Sequence, residues 1–130
     1  MTLNLPPTPG LIFAALISPT GHLLASVGEN SVDAAIVSVL AQGAVAALSD
    51  LGQRSQLGDC GEVAATCQAG GLFILADRSG HLALLHHAHL ASVDQLRQHA
   101  RAMLAATVNP TPPTTSRRQS LMEALNVGPP

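Results

Sequence analysis

Three imidazoles within four positions, His86, His87 and His89, are the side chains of this 130-residue chain best suited to chemistry, since imidazole binds metals and titrates near neutrality. They close an apolar run that reads as a strand, where alternation puts His87 and His89 on one face and His86 on the other. Three convergent ligands do not follow, and the cluster reads as a polar strand end. Cys60 and Cys67 flank another predicted strand. Seven extended steps of ~3.3 Å hold them apart by more than the roughly 4.4–6.8 Å that a disulfide spans, and no second ligand pair with zinc spacing accompanies them. They read as reduced thiols of a cytoplasmic protein. Nucleophilic catalysis would need a serine or cysteine set by a base, and no G-x-S-x-G elbow is present. Carboxylates are few and scattered among turns and caps. The expectation is therefore no catalytic residue, no metal ligand and no cofactor. Arg54 and Arg78 fall on predicted loops, where an arginine can reach a phosphate held by a partner.

Composition closes further classes. All six basic residues are arginine, so a phosphate-cradling P-loop and any Schiff-base chemistry lack their lysine. The formal net charge is −2 and no basic patch is interleaved with aromatics, which leaves nucleic-acid binding without an electrostatic basis. No membrane span is expected, because the uncharged run between Asp33 and Asp50 is shorter than the ~20 residues a span needs. A secretory signal is not expected either, since the first basic residue is Arg54. Hydrophobic residues make up 47% of the chain and aromatic ones 2%, so a single core must be built from Leu, Val, Ile and many small alanines.

The elements that would position these groups follow from periodicity. Residues 1–10 form a Pro-punctuated lead-in. Residues 11–18 (LIFAALIS) are apolar on both alternating faces, as in a central strand, and Ser18-Pro19-Thr20-Gly21 turns the chain into a second strand over 22–27. A long helix is expected over 31–51, capped by Asn30 or Ser31, with Asp33 in its first turn and Gly52 at its end. Its only polar stripe is Ser38, Gln42 and Ser49. One shoulder carries Val32, Ile36, Val39 and Gly43, the other Val37, Ala41, Ala44 and Leu48. Such a helix needs covering on two sides, and a second copy of the chain is the natural second cover. Residues 61–69 alternate as a one-sided edge strand, another surface that lacks a partner.

A second hairpin pairs 72–76 with 81–86 across Asp77-Arg78-Ser79-Gly80, and its Ser79-Gly80-His81-Leu82 mirrors Thr20-Gly21-His22-Leu23. A one-faced helix is predicted over 93–107 behind a capping box of Ser92 and Gln95. Residues 108–116 are a Pro-rich linker, and 117–130 form a short amphipathic tail in which Arg117-Arg118-Gln119-Ser120 resembles a site for a basic-directed kinase.

This order of elements, together with I-S-P-T-G-H-L-L-A-S over 17–26 and GLFILADRSGHLALL over 71–85, resembles the Roadblock family of dynein light-chain-type domains over residues 11–107. The resemblance implies an α+β, profilin-like fold: a five-stranded antiparallel sheet with helices on both faces, here with the N-terminal helix missing. It implies dimerisation through the long helix and the strand after it, which in this sequence selects Val37, Ala41, Ala44, Leu48, Glu62, Val63, Ala64, Ala65, Thr66 and Cys67. It further implies a non-catalytic adaptor that binds a small Ras-like GTPase, in bacteria a polarity-controlling one, with Arg54 and Arg78 as candidate partner contacts. The alternative expectation is a profilin-like module that senses a small molecule or acts as a scaffold.

Overall fold

The apolar run after Gly10 forms the strand β1, Leu11–Ile17, and its side chains are buried on both faces from Phe13 onward. The computed structural model describes residues 9–28, 33–89 and 91–108. Six further elements follow: β2 (Leu23–Gly28), α1 (Ala34–Arg54), β3 (Glu62–Cys67), β4 (Gly70–Ala76), β5 (Leu82–His87) and α2 (Val93–Val108). The strands make one antiparallel sheet in the order β2-β1-β5-β4-β3. β5 is therefore central and the alternating strand β3 is an edge, as its pattern predicts. The lead-in over 1–8, the caps at Asn30 and Ser31 and the residues after 108, including the arginine-serine motif, lie outside the described residues.

Small side chains build two thin cores, one on each face. On one face Ala14, Leu16, Phe73, Ala83 and Leu85 pack against Leu96, Ala100, Met103 and Leu104 of α2. On the other, Phe13, Ala15, Ile17, Ile74, Leu82 and Leu84 meet only Ala41 and Val45 as buried apolar residues of α1. The helix α2 is the ordinary amphipathic one, and the Ser92 hydroxyl accepts from the Gln95 amide at 3.4 Å as half of the expected box.

Both hairpins turn by the same device. Ser18 N donates to His22 O and Asp77 N to His81 O, while Gly21 and Gly80 take the positive φ values of 89° and 93° that close the turns. The Thr20 hydroxyl pairs with His22 Nδ1 at 2.9 Å, and the Ser79 hydroxyl with His81 Nδ1 at 2.6 Å. Because β1 and β5 are neighbours, the two turns lie side by side; a Cβ on Gly80 would stand 3.2 Å from Pro19 Cβ. The sequence mirroring thus reflects a shared turn requirement.

The long helix departs from expectation at both ends. Asp33 is its N-cap, accepting from Ile36 N, so it lies ahead of the first turn and not within it. Gly52 does not end the helix, which continues to Arg54. The chain instead reverses at Gln56 (φ 63°) and Gly58 (φ 89°), whose amide returns to Gly52 O at 3.2 Å. Gly52 is needed there because a Cβ would collide with the Gly58 carbonyl.

Candidate functional site

A surface helix normally turns its apolar stripe inward and its polar residues to water. In α1 the arrangement is reversed. Ser38 is fully buried and donates to Ala34 O, the Ser49 hydroxyl accepts from Cys60 N at 2.9 Å, and Gln42 reaches the two hairpin turns. One Gln42 amide nitrogen donates to Ser18 O at 2.8 Å and to Gly80 O at 3.1 Å, so a single side chain staples both turns to the helix. Ser18 O also accepts from Gly21 N within its turn, and the polar stripe adds one donor shared between Ser18 O and Gly80 O.

The consequence is an apolar outer surface. Ile36 (57% exposed), Val39 (62%), Leu40 (65%) and Leu51 (59%) face away from the sheet, with Leu48 (38%) on the shoulder. Ile36, Leu40, Gly43, Ala47 and Leu51 recur at spacings of four and three along one line, and nothing lies within 4 Å of where a Cβ on Gly43 would stand. The five large side chains keep roughly half their surface in water, and at about 1.5–3 kcal/mol for each when fully buried a cover would gain about 4–8 kcal/mol. By length and composition α1 could pass for a membrane span. Its contacts with the sheet and the turns place it within this fold.

The edge strand β3 supplies the second open surface. Glu62, Ala64, Thr66 and Cys67 are exposed, and Val63 and Ala65 are half-buried on the α1 face. Beside it, Arg97 of α2 grips Glu62 with two parallel bonds of 2.7 and 2.8 Å, and also meets Asp94 at 3.2 Å. This fork holds the Glu62 carboxyl below the usual carboxylate range.

No family model matches the sequence, and no curated protein matches it. Solved structures do. A Roadblock/LC7 domain from Streptomyces avermitilis is similar over 78% of this chain and 85% of its own, with a TM-score of 0.70 at 20% identity. Myxococcus xanthus MglB is similar over 75% of this chain and 80% of its own, with a TM-score of 0.67 at 16% identity. The gliding protein MglB from Thermus thermophilus follows at 0.62 and 18%, over 72% of each chain. This chain has the Roadblock/LC7 fold.

Within that fold the residues singled out from sequence fall as follows. Of the helix candidates, Ala44 and Leu48 are exposed, but Ala41 is 6% exposed and packs in the core, and Val37 is half-buried against the same core. Ala41 faces the sheet because its small side chain lets the helix approach; the outward line runs instead through Leu40, Gly43 and Ala47. The helix residues that the resemblance selects do not include Ile36, Val39, Leu40 or Leu51, all exposed here. The grouping of Ser38, Gln42 and Ser49 on one stripe does not by itself find them, because it leaves open which side of the helix faces the sheet.

Arg54 belongs to the last turn of α1 and not to a loop, and pairs with Asp50 at 3.1 Å with both side chains exposed. Arg78 is exposed at the tip of the β4-β5 turn. Cys60 and Cys67 are free thiols. His89 lies beyond the end of β5, so the expected shared face with His87 does not exist. His87 Nδ1–H donates to Ala88 O at 2.7 Å and His89 Nε2–H to Gln68 O at 2.9 Å. Among the described residues no three His, Cys, Asp or Glu side chains are placed to hold a metal ion. An open groove of about 450 Å³ lies on the α2 side, lined by Leu75, Ala76, Asp77, Arg101, Leu104 and Ala105.

Proposed function

We propose that this chain is a non-catalytic, homodimeric adaptor that binds and regulates a small Ras-like GTPase in the cytoplasm of a bacterium. The observation that carries the reading is the reversed helix: α1 turns Ser38, Gln42 and Ser49 inward, with Gln42 bonded to both hairpin turns, and leaves an apolar surface of five large residues to water. A surface of that kind fits a protein partner. The likeness to Roadblock/LC7 and MglB structures supports the regulator reading, and the two open surfaces, α1 and the β3 edge, support self-association.

The test is retention of Ras-like GTPases of the source organism on the immobilised chain, each loaded with GTP or GDP, with hydrolysis followed in parallel. Nucleotide-sensitive binding that alters hydrolysis is expected. Indifferent binding with an unaltered rate would refute the reading. Arg54 and Arg78 act in this account as contacts and not as catalytic fingers, so their alanine variants weaken binding while the hydrolysis rate of the saturated complex stays unchanged. The groove beside α2 is the feature that favours a small-molecule module instead; a stoichiometric ligand in native mass spectrometry would select that reading.

A further inference from the structure

The chain leaves its last helix beside the open groove between α2 and β4. Leu104 and Ala105, which line it with Leu75, Ala76, Asp77 and Arg101, lie within about one turn of Val108, where α2 ends. The helix stops there because the next residues are Asn109 and Pro110, and a residue before proline is held out of the helical region. Four of the six lining residues are apolar, with Leu104 in the core and Ala105 exposed on the wall. Leu75 pairs with Glu62, whose carboxylate Arg97 grips, so that fork bounds the groove on the β3 side. At the other end stands the Asp77 carboxylate, beside the β4-β5 turn.

The sequence that follows suits this groove in pattern, charge and reach. Residues 117–127 read RRQSLMEALNV, and at ~100° per residue Arg118, Leu121, Met122 and Leu125 share one stripe, with Gln119, Glu123 and Asn126 opposite. A stripe this short cannot hold a helix in water by itself, so it gains most from an apolar surface that is already formed. Its basic start, Arg117-Arg118, complements Asp77. The Pro-rich residues 109–116 separate it from α2, and the nine steps from Val108 to Arg117 reach up to ~28 Å at the ~3.1 Å of a polyproline chain. The groove begins only about 6 Å back along the axis of α2, at Leu104. The connection is therefore long enough to reverse and short enough to hold the segment at a millimolar effective concentration. An open groove offers a free molecule few contacts, whereas a tethered segment needs only a weak one.

We propose that residues 117–127 of this chain bind in its own groove between α2 and β4, setting Leu121, Met122 and Leu125 against Leu75, Leu104 and Ala105 and Arg118 toward Asp77. The segment then fills the one feature that favours a small-molecule module. It lies on the face of the sheet away from α1, so the outer surface of that helix stays open and the proposal does not rest on the self-association reading.

Paramagnetic broadening tests it, in the full chain carrying Cys60→Ser, Cys67→Ser and Asn126→Cys with a nitroxide on the introduced thiol, which is off the apolar stripe. The amide signals of Leu75, Leu104 and Ala105 should be lost, while those of Ser26 and Val27 on the far strand β2 persist. Groove signals that persist as well would overturn the proposal. In a mixture of nitroxide-bearing chains with isotope-labelled chains that carry none, the Leu104 and Ala105 signals should survive; their loss there would hand the groove to a second copy and overturn it. Leu121→Asp with Leu125→Asp, added to the nitroxide-bearing chain, gives a second measurement that separates docking from mere nearness of a tethered tail. The groove signals should return, with the circular dichroism of the domain unchanged. Continued broadening in that variant would overturn the proposal.

Discussion

Leu40→Asp tests the reversed helix. Leu40 is 65% exposed on the outer line of α1, so its removal disturbs little inside one copy. Replacing leucine by aspartate in a helix interior costs about 0.5 kcal/mol in propensity, which shifts the melting of the isolated domain by only about 2–4 °C. The association term is larger. Full burial of a leucine contributes about 1.5–3 kcal/mol, and the exposed two-thirds leaves about 1–2 kcal/mol for a covering surface to gain. A symmetric interface counts that loss twice, about 2–4 kcal/mol, or roughly 30-fold to 1,000-fold in the dimer dissociation constant. An unpaired carboxylate at the contact weakens it further. Sedimentation equilibrium over a concentration series measures the constant, with Val27→Asp on the opposite edge strand β2 as the control that should leave it unchanged. A Leu40→Asp protein that dimerises within about threefold of the parent would refute the assignment of this face. Collapse of the fold would refute the claim that Leu40 serves no internal role.

Gln42→Ala removes both bonds to the hairpin turns and leaves the Ser18 and Gly80 carbonyls without that donor; a loss of about 2–3 kcal/mol in urea unfolding, with faster amide exchange along α1, is expected. Gly71→Ala puts a methyl 2.6 Å from His87 Cε1 and 2.7 Å from Nε2, so the ring must leave its bond to Ala88 O at a cost of about 1–3 kcal/mol. Thermal melting should show that loss, and His87→Ala should recover part of it in the double variant. Glu62 is held below its ordinary value by the Arg97 fork, so its contribution is present above the usual glutamate range and disappears as pH falls through its folded value. Urea midpoints between about pH 6 and pH 3 should therefore fall less steeply for Glu62→Gln, and only modestly so because the pair is a third exposed.

Strand positions were readable because period-two patterning and the two Gly-His turns leave little choice: Leu11–Ile17 is apolar on both faces and Glu62–Cys67 on one. Helix ends were less so, since Asn30, Ser31 and Asp33 are all good caps and only the observed bond to Ile36 N selects Asp33. Gly52 read as a stop because a glycine after an apolar run usually is one, whereas here it admits the Gly58 carbonyl. Periodicity also grouped Ser38, Gln42 and Ser49 correctly but could not say which way they face. That depends on two carbonyls, Ser18 O and Gly80 O, brought together only when the hairpins lie side by side. Once they do, the polar stripe belongs inside, Ala41 goes with it, and the outer line of Leu40, Gly43 and Ala47 is left for a partner.

The mass of the unmodified chain in solution tests the central claim most directly. Light scattering at micromolar concentration should give twice the 13.3 kDa of one copy, with the ratio falling on dilution. A particle of 13.3 kDa throughout the series would mean that water tolerates the outer face of α1 and the edge of β3 as they stand, and would contradict the account.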